Sequence, residues 1–267
     1  MPGSVFRTVS SEPMKHPVLL FLLMMLPLAA QSACIKNERN WLWNYDGSLG
    51  EKHRVRMTLV FIGEEVSGLY FYASQLRDIV LRGNVRDGTD ILLDEINAAG
   101  NVVARFEGRF QERDPRGRFG DGKLECEAIV GTWSKLDGSG ELPFHLSLES
   151  GTAGNLANRY APAGAVDDKL VHRSAYRFWD AVRRGDRETV ANSVAYPIST
   201  NLHGGRKRLR SPAELIANYD AIFSSKYRQA ISSALPRNMF VRDQGIMLGT
   251  GEVWFGPDGK VIALNHY

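Results

Sequence analysis

Apolar and polar residues alternate along most of residues 54–148, and this pattern predicts a series of β-strands. Within residues 54–62, apolar side chains such as Val55 and Leu59 alternate with polar ones, which places them on one face of a strand. Such segments number seven, or eight with an aromatic-rich lead-in at 41–47. An antiparallel meander of this length is expected to close into a barrel, because closure removes unpaired strand edges. The other predicted strands cover residues 66–72, 79–85, 89–96, 102–110, 124–133 and 142–148.

Glycine and aromatic residues recur two positions apart within these strands. Phe106, Gly108 and Phe110 form one copy, and residues 66–72 and 129–133 contain two others. Side chains two positions apart point to the same face of a strand, and a glycine inside a strand marks a bend or a close approach of backbones. On one face of the predicted sheet, glycines without a side chain therefore alternate with large aromatic residues, and this arrangement is what a curved sheet requires.

The second half of the chain changes to helical periodicity. Asp167 is expected to cap a helix that runs to about Arg184, where Gly185 ends it. A second helix is predicted from Asp186 until Pro197 stops it. The predicted buried stripe of the first helix consists of Leu170, Ser174, Phe178, Trp179 and Val182.

A hairpin is predicted at 198–209, with His203 and the glycines after it at the turn. Ser211 then starts a third helix, because Pro212 follows it and Glu214 completes a capping box. Helices first and then a curled antiparallel sheet is an α+β pattern. The remaining predicted elements are a short helix at 227–233 and strands at 240–242, 246–255 and 261–266.

The stretch 150–165 is rich in Gly, Ala, Asn and Pro and lacks periodicity, which favours a linker. The chain is therefore expected to hold two domains, an all-β antiparallel meander barrel followed by an α+β cone of helices on a curved sheet. The predicted boundaries are 1–33 for a signal segment, 34–150 for the barrel, 151–165 for the linker and 166–267 for the cone.

The N-terminus has the features of a secretory signal. Residues 18–30 are almost entirely apolar, follow the basic Lys15 and end in small residues. The run is shorter than the roughly 20 residues that a membrane span takes. Cleavage is expected after Ser32 or Ala33, so the mature protein is predicted to be periplasmic or secreted.

The mature chain would hold two cysteines, Cys34 and Cys126. In an oxidising compartment such a pair is expected to form a disulfide, and the alternative is a free, buried Cys126. A lipid-modified Cys34 is less favoured, because Gln31 stands where a lipoprotein signal has an aliphatic residue. Two cysteines and scattered histidines lack metal-ligand spacing, so neither a metal nor a cofactor is predicted.

Charge is divided unevenly, although the formal net charge is only +3. Residues 34–152 carry 15 Lys and Arg against 19 Asp and Glu, whereas residues 153–267 carry 16 against 10. The densest basic run, 206–210, is interpreted as a solvated loop or as a patch for an acidic partner. No aromatic residue is interleaved with it, which argues against a nucleic-acid partner.

Residues 46–148 resemble the lipocalin-like β-barrels of secreted bacterial proteins. The resemblance rests on the glycine–aromatic strands and on residues 91–95, which precede a turn at Gly100. It implies a barrel that is either filled by its own side chains or holds one small ligand.

Residues 166–267 resemble the nuclear-transport-factor-2-like superfamily, a cone of antiparallel sheet wrapped by helices. The matching segments are 178–182, 196–198, the capped helix from Ser211, and 249–255. The superfamily includes isomerases, dehydratases and many non-catalytic binding domains, so the resemblance does not fix an activity.

In ketosteroid-isomerase-like members of that superfamily, a pocket carboxylate abstracts a proton and a tyrosine or protonated acid stabilises the oxyanion. Asp220 and His266 are further candidates for such roles, but no candidate falls on a catalytic motif of the family. The residues predicted to line a pocket in the C-terminal half are Trp179, Asp180, Tyr196, His203, Tyr219 and Trp254.

The favoured interpretation is an exported, non-catalytic binding or accessory protein of the bacterial cell envelope. Its partner is expected to be a protein or a small apolar ligand, and an inhibitor or immunity protein is one version. The alternative is an isomerase or dehydratase that uses Asp180 or Asp220 beside a tyrosine in a C-terminal pocket. Whether the chain forms a homodimer through an open sheet face stays open.

Overall fold

The computed structural model describes residues 1, 3, 39–111, 127–202, 204–243 and 245–266. The predicted signal segment, apart from its residues 1 and 3, lies outside the described residues, as do both cysteines of the predicted disulfide, Cys34 and Cys126. The described residues from 39 onward belong to one compact unit. A division of this part into two domains therefore stays a prediction.

Eight antiparallel strands of the N-terminal half form a closed barrel. They are β1 (Trp41–Leu49), β2 (His53–Ile62), β3 (Glu65–Tyr72), β4 (Ile79–Arg86), β5 (Asp90–Ile96), β6 (Val102–Gln111), β7 (Ala128–Lys135) and β8 (Glu141–Ala153). Each strand pairs with the next, and Trp43 of β1 lies opposite both Leu59 of β2 and Gly151 of β8. The predicted meander is confirmed, and the aromatic-rich lead-in is the strand that closes it.

Apolar and aromatic side chains fill the interior of this barrel. The ring of Phe106 lies edge-on to Tyr70 at 5.2 Å and to Phe144 at 5.3 Å between centroids. Full burial of one such side chain contributes roughly 1.5–3 kcal/mol to stability. The Tyr70 hydroxyl donates to Glu95 Oε2 at 2.6 Å, and the Trp133 indole N–H reaches the same oxygen at 3.2 Å. The described side chains of the barrel interior thus pack against one another.

Two glycines explain the glycine–aromatic pattern. Gly108 of β6 lies directly opposite Gly131 of β7. A Cβ on Gly108 would lie 2.7 Å from the Phe144 ring, and one on Gly131 would collide with the carbonyl oxygen of Glu107. The absent side chains let the wall curve closely over the aromatic interior.

The connection between the barrel and the helices is ordered and packed. The side chain of Asn155 accepts hydrogen bonds from the backbone N–H groups of Ala157 and Asn158. A single 3₁₀ turn follows at Ala161–Ala163, and Arg159 and Tyr160 just before it are almost completely buried. Residues 151–153 of the predicted linker belong to the end of β8. The missing periodicity of 154–165 reflects turns, and this segment holds residues that join the two halves.

Five helices follow in the C-terminal half. Asp167 accepts a hydrogen bond from the Lys169 N–H at 2.8 Å, and Ser211 accepts one from Glu214 at 3.3 Å, so both predicted helix starts are confirmed. Leu170, expected in the buried stripe, is 38% exposed, because the buried face is turned by one residue and uses Val171 instead. The helices are α1 (Asp168–Arg184), α2 (Arg187–Asn192), α3 (Pro212–Ala217), α4 (Tyr219–Ile222) and α5 (Ser225–Ser233).

A hairpin and a four-stranded antiparallel sheet complete this α+β region. The hairpin consists of β9 (Ile198–Leu202) and β10 (Gly205–Leu209), as predicted. The sheet consists of β11 (Phe240–Arg242), β12 (Gly245–Leu248), β13 (Val253–Phe255) and β14 (Val261–Leu264). The single strand predicted at 246–255 is wrong, because Gly249 and Gly251, with φ of 73° and 119°, turn the chain between β12 and β13.

Aromatic rings occupy the interior between these helices and the sheet. Phe178 of α1 lies 5.8 Å from Phe255 of β13, and Tyr219 of α4 stacks on Phe223 at 4.7 Å. All four side chains are at most 1% exposed. The interior of the α+β region is therefore packed in the same manner as that of the barrel.

Candidate functional site

Two of the predicted site residues lie on α1, Trp179 half-buried beside α5 and Asp180 toward the surface. The indole N–H of Trp179 donates to the carbonyl oxygen of Ser232 at 3.3 Å, and the Arg183 guanidinium lies 4.3 Å from the ring centre. Asp180 accepts a hydrogen bond from Arg184 at 2.9 Å, one turn further along the helix. Trp179 therefore contributes to the packing of α1, and Asp180 forms an ion pair along the helix.

Tyr196, Tyr219 and Trp254 are held by separate local contacts. The Tyr196 hydroxyl donates to the carbonyl oxygen of Ala191 at 2.9 Å, and burial raises the pKa of Tyr196 to about 12. The ring of Trp254 covers Gly245, where a Cβ would lie 2.6 Å from it. Tyr219 is buried in the aromatic interior, and His203 lies outside the described residues.

The carboxylates considered for catalysis are at the surface. Asp220 is 71% exposed and accepts hydrogen bonds from Arg187 at 2.9 and 3.0 Å. His266 stacks on Tyr227 at 4.3 Å, and its Nε2 lies 2.9 Å from the Thr200 hydroxyl. Burial lowers the pKa of His266. The structure therefore does not bring the described members of the predicted set together around one pocket.

A cleft of about 500 Å³ lies where the barrel meets the α+β region. Clefts between packed units are common positions for ligand sites, because side chains from both walls converge there. The barrel wall of the cleft is formed by the ends of β1, β2 and β8. It contributes Asn44, Arg54, Arg56, Glu149 and Ser150.

Two arginines share one carboxylate on this wall. Arg54 donates to Asp46 from Nε at 3.1 Å and from a terminal nitrogen at 2.8 Å, and Arg56 donates to the same carboxylate at 3.2 Å. The Asp46 side chain is 6% exposed, whereas those of Arg54 and Arg56 are 50% and 18% exposed. The hydrogen bond to Asp46 raises the pKa of Arg54, and the nearby Glu149 adds a weaker attraction. Each guanidinium has five N–H donors, so most of them are not engaged by Asp46.

The opposite wall is more apolar. Phe240 and Met247 lie directly opposite each other in β11 and β12 and form its floor. Above them, the carboxylate of Glu252 accepts hydrogen bonds from the Thr250 backbone N–H at 2.6 Å and from its hydroxyl at 2.9 Å. The charge of Glu252 is therefore stabilised within its own turn, and the wall offers an apolar surface beside it.

A buried arginine fixes the position of the connection against the barrel. Arg159 is 2% exposed, and its guanidinium donates to Asn44 Oδ1 at 2.9 Å and to the Thr58 hydroxyl at 2.6 Å. Burial lowers the pKa of Arg159, because the charged form is separated from water. The backbone N–H groups of Arg159 and Tyr160 donate to the carboxylate of Asp168 at 2.6 and 3.1 Å. The start of α1 is thereby tied to the barrel wall that lines the cleft.

A second set of bonds joins the loop before β4 to the loop before β11. The Arg237 guanidinium makes two hydrogen bonds to the Asp78 carboxylate, at 3.1 and 2.5 Å, and the Asn238 side-chain amide adds a third at 3.0 Å. Both ionic side chains are about a quarter exposed or less, at 26% and 20%. Bidentate pairs of this kind fix orientation as well as distance.

His172 and Tyr160 complete the junction beneath these loops. The backbone N–H of Asn238 donates to His172 Nε2 at 3.3 Å, and the Tyr160 hydroxyl, which accepts from the Met239 N–H, lies 2.9 Å from the same nitrogen. Because a backbone N–H can only donate, Nε2 accepts and the imidazole is neutral. Burial lowers the pKa of His172 to about 4, which agrees with a neutral ring.

The described lining residues of the cleft place hydrogen-bonding groups beside an apolar floor. They supply two arginines, two glutamates, and amide and hydroxyl groups, and no His, Cys or Tyr is among them. Among the described residues, no group of three or more His, Cys, Asp or Glu side chains is arranged to hold a metal ion. No helix in the described part of the chain is long and apolar enough to cross a membrane.

Sequence reasoning missed the residues that build this site. Arg54 and Arg56 occupy polar positions of the alternating segment 54–62, a pattern that is typical of a solvent-exposed strand face and does not reveal that a second region packs against it. Arg159 lies in a stretch without periodicity, and Asp78 and Arg237 are 159 positions apart in the chain. The one available signal was a charged face on β2 beside the carboxylate of Asp46 on the neighbouring strand.

Comparison with known proteins gave no match. No protein-family model matches the chain, and no curated protein or solved structure shows significant similarity to it.

Proposed function

We propose that this chain is an exported, non-catalytic binding protein of the bacterial cell envelope, and that a small ligand occupies the cleft between the barrel and the α+β region. The signal-like N-terminus supports export to the periplasm or beyond. Buried apolar and aromatic side chains pack together in both interiors, which favours a ligand site outside them. The cleft is the place where polar and apolar side chains converge on open space.

The chemistry of the walls favours an amphiphilic ligand with an anionic group. The evidence for an anionic group is that two guanidinium groups share the carboxylate of Asp46, while most of their N–H donors do not bind it. An anionic group would complete their hydrogen bonding, and arginine suits carboxylates and phosphates in particular. The apolar part of the ligand would lie on Phe240 and Met247 opposite.

Resemblance to two families supports a binding function without fixing it. The eight-stranded antiparallel barrel has the architecture of secreted lipocalin-like proteins. We further propose that the α+β region belongs to the nuclear-transport-factor-2-like superfamily. Its order of elements, two helices, a hairpin, further helices and a four-stranded sheet, supports this assignment. A protein partner, as in an inhibitor or immunity protein, is a second version of the same proposal.

The alternative, an isomerase or dehydratase, is the less favoured proposal. A pocket that holds Asp180 or Asp220 beside a tyrosine would support it. Asp180 pairs with Arg184 and Asp220 with Arg187 at the surface. No other observation favours this alternative.

Isothermal titration of the exported full chain with octanoate and octylammonium tests the proposal, because these probes share an apolar chain and differ in the sign of their charge. Octanoate is expected to bind, and octylammonium at least about tenfold more weakly, a difference of roughly 1.4 kcal/mol.

Ala230→Trp, which places a large ring in the cleft, should abolish binding. Ala99→Trp at an exposed turn is the matched control and should leave binding unchanged. Equal affinity for both probes, or octanoate binding that survives Ala230→Trp, would contradict the proposal.

A further inference from the structure

β10 forms one edge of the two-stranded hairpin of the α+β region. Among the described strands it pairs only with β9, which in turn lies beside β14. The neighbouring four-stranded sheet meets the barrel, because its strand β11 lies against β8. The hairpin, by contrast, exposes the residues of β10 up to Arg208 to solvent.

The backbone of this edge offers hydrogen bonds to an incoming strand. Leu202 and Gly205 flank the two-residue turn and lie opposite each other. In such a hairpin the flanking pair is hydrogen-bonded, and bonded and non-bonded pairs alternate along the ladder. The N–H and C=O groups of Arg206 and Arg208, two non-bonded positions, therefore point away from β9. An edge that presents such groups is a template for the addition of a strand.

The side chains of the same edge carry uncompensated positive charge. Arg206, Lys207 and Arg208 are all exposed, and no carboxylate in the described part of the chain forms an ion pair with them. Glu214, the carboxylate near the end of β10, accepts a hydrogen bond from the backbone N–H of Arg210 at 2.9 Å. The edge therefore attracts a segment that carries several acidic residues.

A polar hollow of about 390 Å³ adjoins the strand. Arg206 lines it together with Asn201, Thr200, Asn265 and His266. When a strand is added to a sheet edge, backbone bonds provide affinity and neighbouring pockets select alternate side chains. An acidic side chain of an added strand would find the Arg206 guanidinium and the Asn265 amide in this hollow.

We propose that β10 is the docking edge for an extended acidic segment of a partner protein, which adds to the β9–β10 hairpin as a third strand and places a carboxylate beside Arg206. The evidence for this docking edge is independent of the evidence for the cleft. It gives the basic run at 206–210 a role, and it extends the proposed function to a macromolecular partner.

Fluorescence anisotropy with labelled peptides of about eight residues, near the upper range of ordinary strand length, tests the proposal on the exported full chain. The first peptide alternates Glu and Val, the second alternates Lys and Val, and the third is the acidic peptide with prolines in its centre. The acidic peptide should bind at low salt, and the basic one should not. The proline peptide should bind at least about tenfold more weakly, because proline cannot donate to a ladder.

The double variant Arg206→Glu with Arg208→Glu should weaken binding of the acidic peptide at least about tenfold, since the charges beside its backbone are reversed. Arg177→Glu with Arg183→Glu makes the same charge change on exposed positions of α1 and should leave binding within about twofold of wild type. Circular dichroism of both variants verifies that they fold. Three results would overturn the proposal: no binding of the acidic peptide, which would mean that the charges only protect the edge; equal weakening by both double variants; or full binding of the proline peptide.

Discussion

The barrel and the α+β region are both packed around aromatic rings, but they differ in how their sheets end. Each of the eight barrel strands has a partner on both sides. In the α+β region, the four-stranded sheet has an edge strand, β11, that lies against the barrel, and the separate hairpin has an edge strand, β10, that is exposed. The two binding surfaces that we propose therefore lie at the exposed edge of β10 and at the junction of the two regions, whereas the packed interiors contribute to stability.

The junction itself differs from both interiors in polarity. The cores consist of apolar side chains, whereas the junction is held by the buried groups of Arg159, Tyr160 and His172 and by the pair of Asp78 with Arg237. Buried polar groups are costly when they lose their partners. One relative position of the two regions satisfies them, and that position defines the cleft.

The largest expected effect tests whether the two regions unfold together. Phe106→Ala in the barrel interior is expected to lower the free energy of unfolding by about 3–5 kcal/mol. If the junction couples the regions, amide hydrogens of α1 should lose protection together with those of the barrel. Hydrogen exchange at increasing denaturant concentration measures this, and Phe178→Ala is the matched change in the other region. Barrel peptides that open while α1 remains protected would show two independent domains.

The next prediction concerns the pH dependence of the free energy of unfolding, to which the polar junction contributes and the apolar interiors do not. Burial lowers the pKa of His172 from 6.5 to about 4, the charges of Arg237 and Arg159 act in the same direction, and Asp78 opposes them. The unfolded chain therefore takes up the proton at higher pH than the folded chain. This contribution is fully present above about pH 6.5 and is lost as the pH falls toward 4, by up to roughly 3 kcal/mol.

Denaturant unfolding between pH 7 and pH 4 measures the difference. His172→Gln keeps a hydrogen-bond acceptor and cannot take up a proton in this range, so its stability should fall less steeply. Parallel curves for the variant and the wild type would show that His172 does not control the junction.

A smaller effect is expected when the loss of stability on removing an ion pair at the junction is compared with the loss on removing one at the exposed surface. Asp78→Asn weakens the bidentate contact with Arg237, and we expect a loss of about 1–3 kcal/mol because both side chains are largely buried. Asp180→Asn removes the exposed contact with Arg184 and should cost less than about 0.5 kcal/mol. Chemical unfolding at neutral pH measures both. Similar losses would mean that the Asp78 pair is an ordinary surface pair.

The sequence predicted the parts of the fold that depend on neighbours in the chain. Alternation located the barrel strands, and the cap residues Asp167 and Ser211 located helix starts, because these signals act within a few residues. The turn at Gly249 was missed, since the apolar residues on both sides continue the same pattern. Leu170 was misplaced because a helical period tolerates a rotation by one residue.

The candidate site was not predictable in the same way. Arg54 on β2 and Met247 on β12 face each other only after the two halves have packed. Arg159 has no periodic neighbours, and its partners Asn44 and Thr58 lie more than 100 positions away. Contacts of this kind leave no local pattern in the sequence. The basic run at 206–210, by contrast, is visible in the sequence, and the structure adds that it lies on an exposed strand edge.

The position of the ligand can be measured most directly by nuclear magnetic resonance of the full chain with ¹³C-labelled methionine methyl groups. Met247 lies in the cleft, and Met57 is completely buried inside the barrel, so the two methyl groups report on the two regions. Titration with octanoate is expected to shift the Met247 signal, assigned with Met247→Leu, and to leave the Met57 signal in place. A shift of Met57 without Met247 would place the ligand in the barrel, and saturating octanoate without a shift of Met247 would contradict a ligand site in the cleft.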